Sequence, residues 1–222
     1  MRAYNTAGTR RFSALLVSLI LMGGLASTAG AELFTSHVTD SEMLILMPED
    51  ELAFTAEGRI GGASTFELDL GRTTAAPAQT AEYGWQSGVL EPFTVSYDAG
   101  TNTAVFSLGG VVLSYEPDRY FNEIFVRTRA VDDGSAATVS DIVLEGEAVA
   151  DLSQATGPGA TDVLRISGGD LYDGFEFNAV AVLEWVEPAP TQSRLAFQVK
   201  VGAVPASPVE AATWSSVKAL YR

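Results

Sequence analysis

The sequence predicts an all-β protein: an antiparallel β-sandwich, jelly-roll-like or immunoglobulin-like, with a short C-terminal helix. Three observations predict it. Past residue 31 the chain is a series of short segments rich in Val, Phe, Tyr, Thr and Ile, punctuated by Gly and Asp. Within these segments apolar residues recur at every second position, the period of a strand with one buried face. No long helical pattern lies between them. About ten strands spaced roughly 8–15 residues apart fit two packed sheets.

The first element is a leader. Arg2, Arg10 and Arg11 make a basic start without an acidic residue, Phe12 to about Ala26 is apolar, and small residues lead to Ala29-Gly30-Ala31. Charged end, short apolar middle and small-residue cut site are the three parts of a cleaved signal peptide. Gly23-Gly24 interrupts the apolar run, which falls short of the ~20 residues a membrane span needs. The expectation is cleavage after residue 31 and export by the ordinary route, although Arg10-Arg11-Phe12 faintly resembles a twin-arginine signal.

The strands follow in order. Thr65–Gly71 places Phe66, Leu68 and Leu70 on one face, Glu67 and Asp69 on the other. Thr73–Thr80 reads as a loop. Phe93, Val95 and Tyr97 align, a five-residue loop covers Asp98–Asn102, and Thr103–Leu108 runs back, which is a hairpin. Ile124, Val126 and Thr128 alternate with Glu123, Arg127 and Arg129. Asp132-Asp133-Gly134-Ser135 is a turn, after which Ser140, Ile142, Leu144 and Gly146 alternate with Asp141, Val143, Glu145 and Glu147. Ala155–Ala160 reads as an exposed, mobile loop. Gly174–Glu187 is the clearest strand, with Phe175, Phe177, Ala179, Ala181, Leu183 and Trp185 on one face, and Pro188 and Pro190 end it. Ser193–Gly202 aligns Leu195, Phe197, Val199 and Val201. The β-sandwich domain is thus residues 32–202, followed by a linker and tail, 203–222.

The tail is the exception. Ser207 is placed to cap a helix, Pro208 suits its first position and Glu210 completes a capping box. Val209, Trp214, Val217 and Tyr221 fall near one stripe, with Lys218 and Arg222 at the end favoured by the helix dipole. This amphipathic segment either docks on the sandwich or serves as a sorting tail.

Composition excludes several chemistries. The 28 acidic and 13 basic residues give a net charge of −15. Loss of residues 1–31 removes three arginines and no acid, leaving −18. Such a surface repels nucleic acid and anionic lipid. There is no Cys, so disulfides, thiol nucleophiles and cysteine-held metals are excluded. His37 is the single histidine, expected at a frayed terminus and not in a catalytic triad. Gly61-Gly62 and Gly109-Gly110 lack the lysine and helix of a phosphate loop, and Gly157-Pro158-Gly159 is a turn. Carboxylates are numerous enough for a glycosidase pair, but most alternate with apolar residues as solvated strand faces do. Trp85, Trp185, Trp214, Tyr83 and Tyr97 are candidates for a sugar-stacking platform, with core packing the better reading of Trp185. Asp170, Asp173 and Glu176 cluster at one turn, and Asp132 and Asp133 with Asp141 at another, in patterns calcium tolerates but turns also favour. No catalytic, cofactor-binding or metal-ligating residue is assigned, and no cofactor is expected.

Two blocks carry a family resemblance: Leu164–Gly202, above all Leu183-x-Trp185, a proline loop and Ser193-x-Leu195-Ala196-Phe197-Gln198-Val199-Lys200, and Ala81–Gly110. With the strands between, they resemble the choice-of-anchor W domain of exported bacterial proteins. The resemblance implies a surface or secreted β-sandwich module followed by an interchangeable sorting segment. The chain departs from the Val-Pro-Glu-Pro anchor of such proteins, carrying Val204-Pro205-Ala206-Ser207-Pro208 and then no membrane-length run. The functional expectation is a secreted or cell-surface, non-enzymatic interaction module with a protein or glycan partner. The alternative is a carbohydrate-binding module, with or without calcium.

Overall fold

The computed structural model describes residues 32–61, 67–169 and 171–205. The leader expected over residues 1–31 and the helix expected from Ser207 lie outside them. The protein is an all-β sandwich of two seven-stranded sheets, with every strand pair antiparallel. The first sheet runs β1 (Phe34–Val38), β12 (Ala160–Ser167), β8 (Glu123–Ala130), β14 (Leu195–Gly202), β2 (Leu52–Ile60), β3 (Leu68–Gly71), β4 (Gln79–Ala81). The second runs β10 (Glu147–Ala148), β9 (Ala136–Leu144), β13 (Phe175–Glu184), β5 (Leu90–Asp98), β6 (Thr103–Leu108), β7 (Val111–Tyr115). The short β11 (Ser153–Thr156) also pairs with β9.

The core lies between the sheets because alternation aims one face of each strand inward. In β13 Phe175, Phe177, Ala179, Ala181 and Leu183 are all buried. Phe197 of β14 reaches Phe93 of β5 at 4.8 Å between ring centroids. The approach is tight: a Cβ built on Gly58 of β2 would sit 2.4 Å from the Phe197 ring, so glycine there makes room for the aromatic layer. Ile124, Val126 and Thr128 of β8 are buried, as their alternation predicts.

A smaller core lies on the outer face of the first sheet. Its lid is α1 (Asp40–Leu46), which the sequence reading does not anticipate. Thr39 caps it: the Glu42 N–H donates to Thr39 Oγ1 at 3.2 Å, and the Thr39 N–H donates to Glu42 Oε2 at 2.8 Å. This capping box fixes the helix start. Met43 and Met47 then pack with Leu52, Phe125 and Val163.

Several local expectations change. Ala155–Ala160 is not an open loop. Ala155 is buried in β11, and the Gly157 and Gly159 N–H groups donate to Ser135 and Val131 carbonyls at 2.8 and 3.0 Å. His37 is not frayed: it is paired with Leu164 inside β1. The strand through Ile142 stops at Leu144, because Glu145 and Gly146 both take positive φ (52° and 79°) and form a two-residue hairpin turn. The loop after β5 has four residues, not five, since Asp98 pairs with Thr103. The strand after Gly174 ends at Glu184, before the prolines, where Ser87 Oγ accepts the Trp185 N–H at 2.9 Å. The last strand starts at Leu195, after positive φ at Gln192 and Ser193.

Candidate functional site

One end of the sandwich gathers the most exposed aromatic surface. Three segments meet there: the loop after β5, the stretch between β7 and β8, and a short 3-10 turn, Leu171–Asp173, ahead of β13. Tyr97, the last inward residue of β5, packs edge-to-face at 4.9 Å on Phe121, which is wholly buried. Phe121 in turn packs on Phe54 and Phe175 at 5.8 and 6.1 Å. This buried stack supports Tyr172, 5.5 Å from Phe121, and Tyr172 supports Tyr120 at 5.1 Å. Tyr120 and Tyr172 remain 57% and 42% exposed. Their planes are tilted by 48°, so they form two walls of a notch and not a flat platform.

Hydrogen bonds hold the notch in shape. Tyr97 Oη lies 3.1 Å from Asn102 Oδ1, to which it donates, and Asn102 Nδ2 donates to the Pro117 carbonyl at 3.1 Å. Asn102 occupies the left-handed region, φ 51°, a conformation asparagine tolerates well. Burial pushes the Tyr97 phenol above its ordinary pKa, so it stays a proton donor. Asp118, Arg119 and Asp173 complete the rim of a depression of about 380 Å³. Two exposed phenols beside an amide, a guanidinium and carboxylates can stack on an apolar ring face while hydrogen-bonding its edge.

The expected platform does not assemble. Tyr97 is buried, Tyr83 and Trp85 pack edge-to-face at 4.9 Å against the main core, and Trp185 packs there too. The indole Nε1 atoms of Trp85 and Trp185 are buried without an acceptor. Burial, then a hydrogen bond to Glu91, pushes the Tyr83 phenol up to about 12. Trp214 lies outside the described residues. Tyr120 gives no periodic signal, because it lies outside every strand, in the stretch between β7 and β8.

The acidic turns also separate. Asp132 holds Arg194 at 2.7 Å, whereas Asp141 sits beyond five residues of β9, roughly 17 Å along the strand at strand rise. Asp173 borders the tyrosine notch, and Glu176 Oε1 accepts from Asn178 at 2.7 Å. Asp170 lies outside the described residues. Among the described residues no group of three or more His, Asp or Glu is placed to hold a metal ion. His37 Nδ1 lies 2.9 Å from Asp162 Oδ1, whose other oxygen accepts the Gln154 N–H at 3.1 Å. That pair joins β1 to β11 and β12.

A second constellation lies on the outer face of the first sheet. Glu57 and Asp69 are cross-strand partners on β2 and β3. Arg59 Nη1 donates to Glu57 Oε2 at 3.0 Å and Nη2 lies 3.2 Å from Asp69, while Gln198 Nε2 donates to Glu57 Oε1 at 2.9 Å. Burial, then the Glu57 charge, pushes the Asp69 carboxyl up to about 8. A carboxyl raised by burial beside a second carboxyl is what general acid catalysis uses. Here, however, the four side-chain-bearing residues are between 1% and 8% exposed, so a substrate has no approach to them. Arg127 closes the row, gripping Asp40 of α1 at 2.7 and 2.8 Å and holding its carboxyl below the ordinary range.

No family model matches this chain, and no curated protein matches it. No helix among the described residues is long and apolar enough to cross a membrane.

Proposed function

We propose that the protein is an exported, non-enzymatic interaction module of the cell surface or its surroundings, with the Tyr120–Tyr172 notch as its contact surface. The observation that carries this reading is the pair of exposed tyrosines mounted on a buried aromatic stack. Rigid, half-exposed tyrosines give large contact area at small ordering cost, which is why binding surfaces use them. The three-part N-terminus supports export, and the resemblance to choice-of-anchor W modules supports a surface or secreted setting. N-terminal sequencing of the secreted product is expected to begin at Glu32.

Carbohydrate is the second reading, favoured by the polar rim of Asn102, Asp118, Arg119 and Asp173 around the rings. Both readings are tested with the exported protein on a glycan array, with and without calcium, and by binding of the labelled protein to cells that lack it. Tyr120→Ala and Tyr172→Ala are expected to abolish binding while leaving the fold intact. Array binding lost in both variants assigns a glycan. Cell binding without array binding, lost in both variants, assigns a protein. Binding undiminished in the double variant refutes the notch.

A further inference from the structure

The sheet edges of this molecule are unequally guarded. On one side β4 has three residues, and its Gln79 side chain accepts the Ser114 N–H of β7 at 2.8 Å, so the two edges cover each other. On the other side β10 has two residues, and the Gln154 N–H of β11 is taken by Asp162 Oδ2 at 3.1 Å. Short strands and covered groups are how proteins keep edges from pairing. β1 is longer than β4 or β10, and the side-chain bond to its backbone, Ser167 Oγ donating to the Phe34 carbonyl at 3.4 Å, comes from its own partner strand β12. It is five residues long and runs in unbroken register with β12, its one strand partner among the described residues. It carries no proline, lysine or arginine, and four of its five residues are exposed.

Its sequence indicates which strand it fits. Laid antiparallel against a second copy about Ser36, Phe-Thr-Ser-His-Val puts Phe34 opposite Val38, Thr35 opposite His37 and Ser36 opposite itself. Apolar meets apolar and polar meets polar, so the segment is self-complementary. The surroundings are apolar too. Phe34 (58% exposed) and Leu44 and Ile45 of the following helix (51% and 78%) are three of the ten exposed large hydrophobic residues among the described residues, within twelve positions of sequence. That concentration on and beside one edge is what an interface requires.

We propose that β1 is a self-association edge: two copies pair their β1 strands antiparallel about a twofold axis at Ser36, joining two first sheets into one continuous sheet. The chain's net charge of −15 opposes the approach of two copies, so added salt strengthens the dimer.

The chain contains no cysteine, which permits a direct test. The exported chain is purified with Ser36→Cys, or with Thr101→Cys at an exposed turn as control. Under mild oxidation Ser36→Cys is expected to give a covalent dimer at least tenfold faster than the control. Sedimentation of the unmodified protein is expected to show a monomer–dimer equilibrium that shifts toward dimer in high salt. Ser36→Glu faces Arg165 within its own chain but a second glutamate across the axis, so it is expected to stay folded by circular dichroism and to sediment as a monomer. A folded Ser36→Glu variant that dimerises like the parent overturns the proposal. So does equal cross-linking at residues 36 and 101, or a monomer at every concentration and salt.

Discussion

Asp69 is 1% exposed, yet it faces Glu57 across a strand pair. Burial and the neighbouring charge raise its carboxyl from an ordinary 3.8 to about 8. A carboxyl that binds its proton more tightly when folded stabilises the fold most below about pH 4, and that contribution is lost as the pH climbs through about 8. Glu67, raised chiefly by burial, acts in the same direction. We therefore expect the urea midpoint to fall between pH 4 and pH 8, and Asp69→Asn to flatten that fall and to be more stable than the parent at pH 8. A parent whose midpoint rises over this interval would show that Asp69 folds ionised, held by Arg59. Acid-side losses have other owners: Asp40 and Glu42 are lowered by their hydrogen bonds to Arg127 and Thr39, so what they contribute disappears as they protonate below about pH 4.

At the scale of elements, α1 tests how a seven-residue helix persists. A helix this short is not stable alone; its cap and its methionines hold it. Thr39→Ala removes the hydroxyl that accepts the Glu42 N–H, leaves the backbone N–H that donates to Glu42, and is expected to cost about 1 kcal/mol. Met43→Ala empties part of the outer core and is expected to cost about 2–5 kcal/mol. Urea denaturation of both variants checks the order. A larger loss at Thr39 than at Met43 would mean that the cap, and not the packing, holds the lid. The elements also show what was legible in advance. β13 is plain because an apolar residue fills every inward position without a break from Phe175 to Leu183. β2 is not, although Phe54, Ala56, Gly58 and Ile60 alternate with Thr55, Glu57 and Arg59: Gly58 leaves a gap in the apolar row, because Phe197 fills the space above it. For α1 the capping signature Thr39-Asp40-Ser41-Glu42 is in the sequence, but five apolar residues in a row, Met43 to Met47, follow it and no period emerges. The notch was illegible for another reason. Tyr97, Tyr120 and Tyr172 are far apart along the chain, and only the crossing of strands between sheets brings their loops together.

At the scale of the whole molecule, charge and packing oppose each other. Acidic residues outnumber basic ones by 28 to 13, so the folded surface repels itself. The strong ion pairs, Arg127 with Asp40 and Arg165 with Glu123, are bidentate and partly buried, and salt screens them little. The melting temperature is thus expected to rise as sodium chloride is increased toward 1 M, read by calorimetry. A steady decrease would show that exposed ion pairs outweigh the repulsion.

The chain leaves β14 through a fixed point. Asn122 accepts the Val204 N–H at 2.8 Å and donates to the Val204 carbonyl at 3.1 Å, directly after β14. Because β14 lies between β8 and β2, tension applied at Val204 loads an interior strand lengthwise, and two full ladders must shear together before it slides out. Tension at Phe34 instead unzips an outermost strand one rung at a time. A molecule moored by its C-terminal end would hold fast under drag that would peel the same molecule moored by its other end.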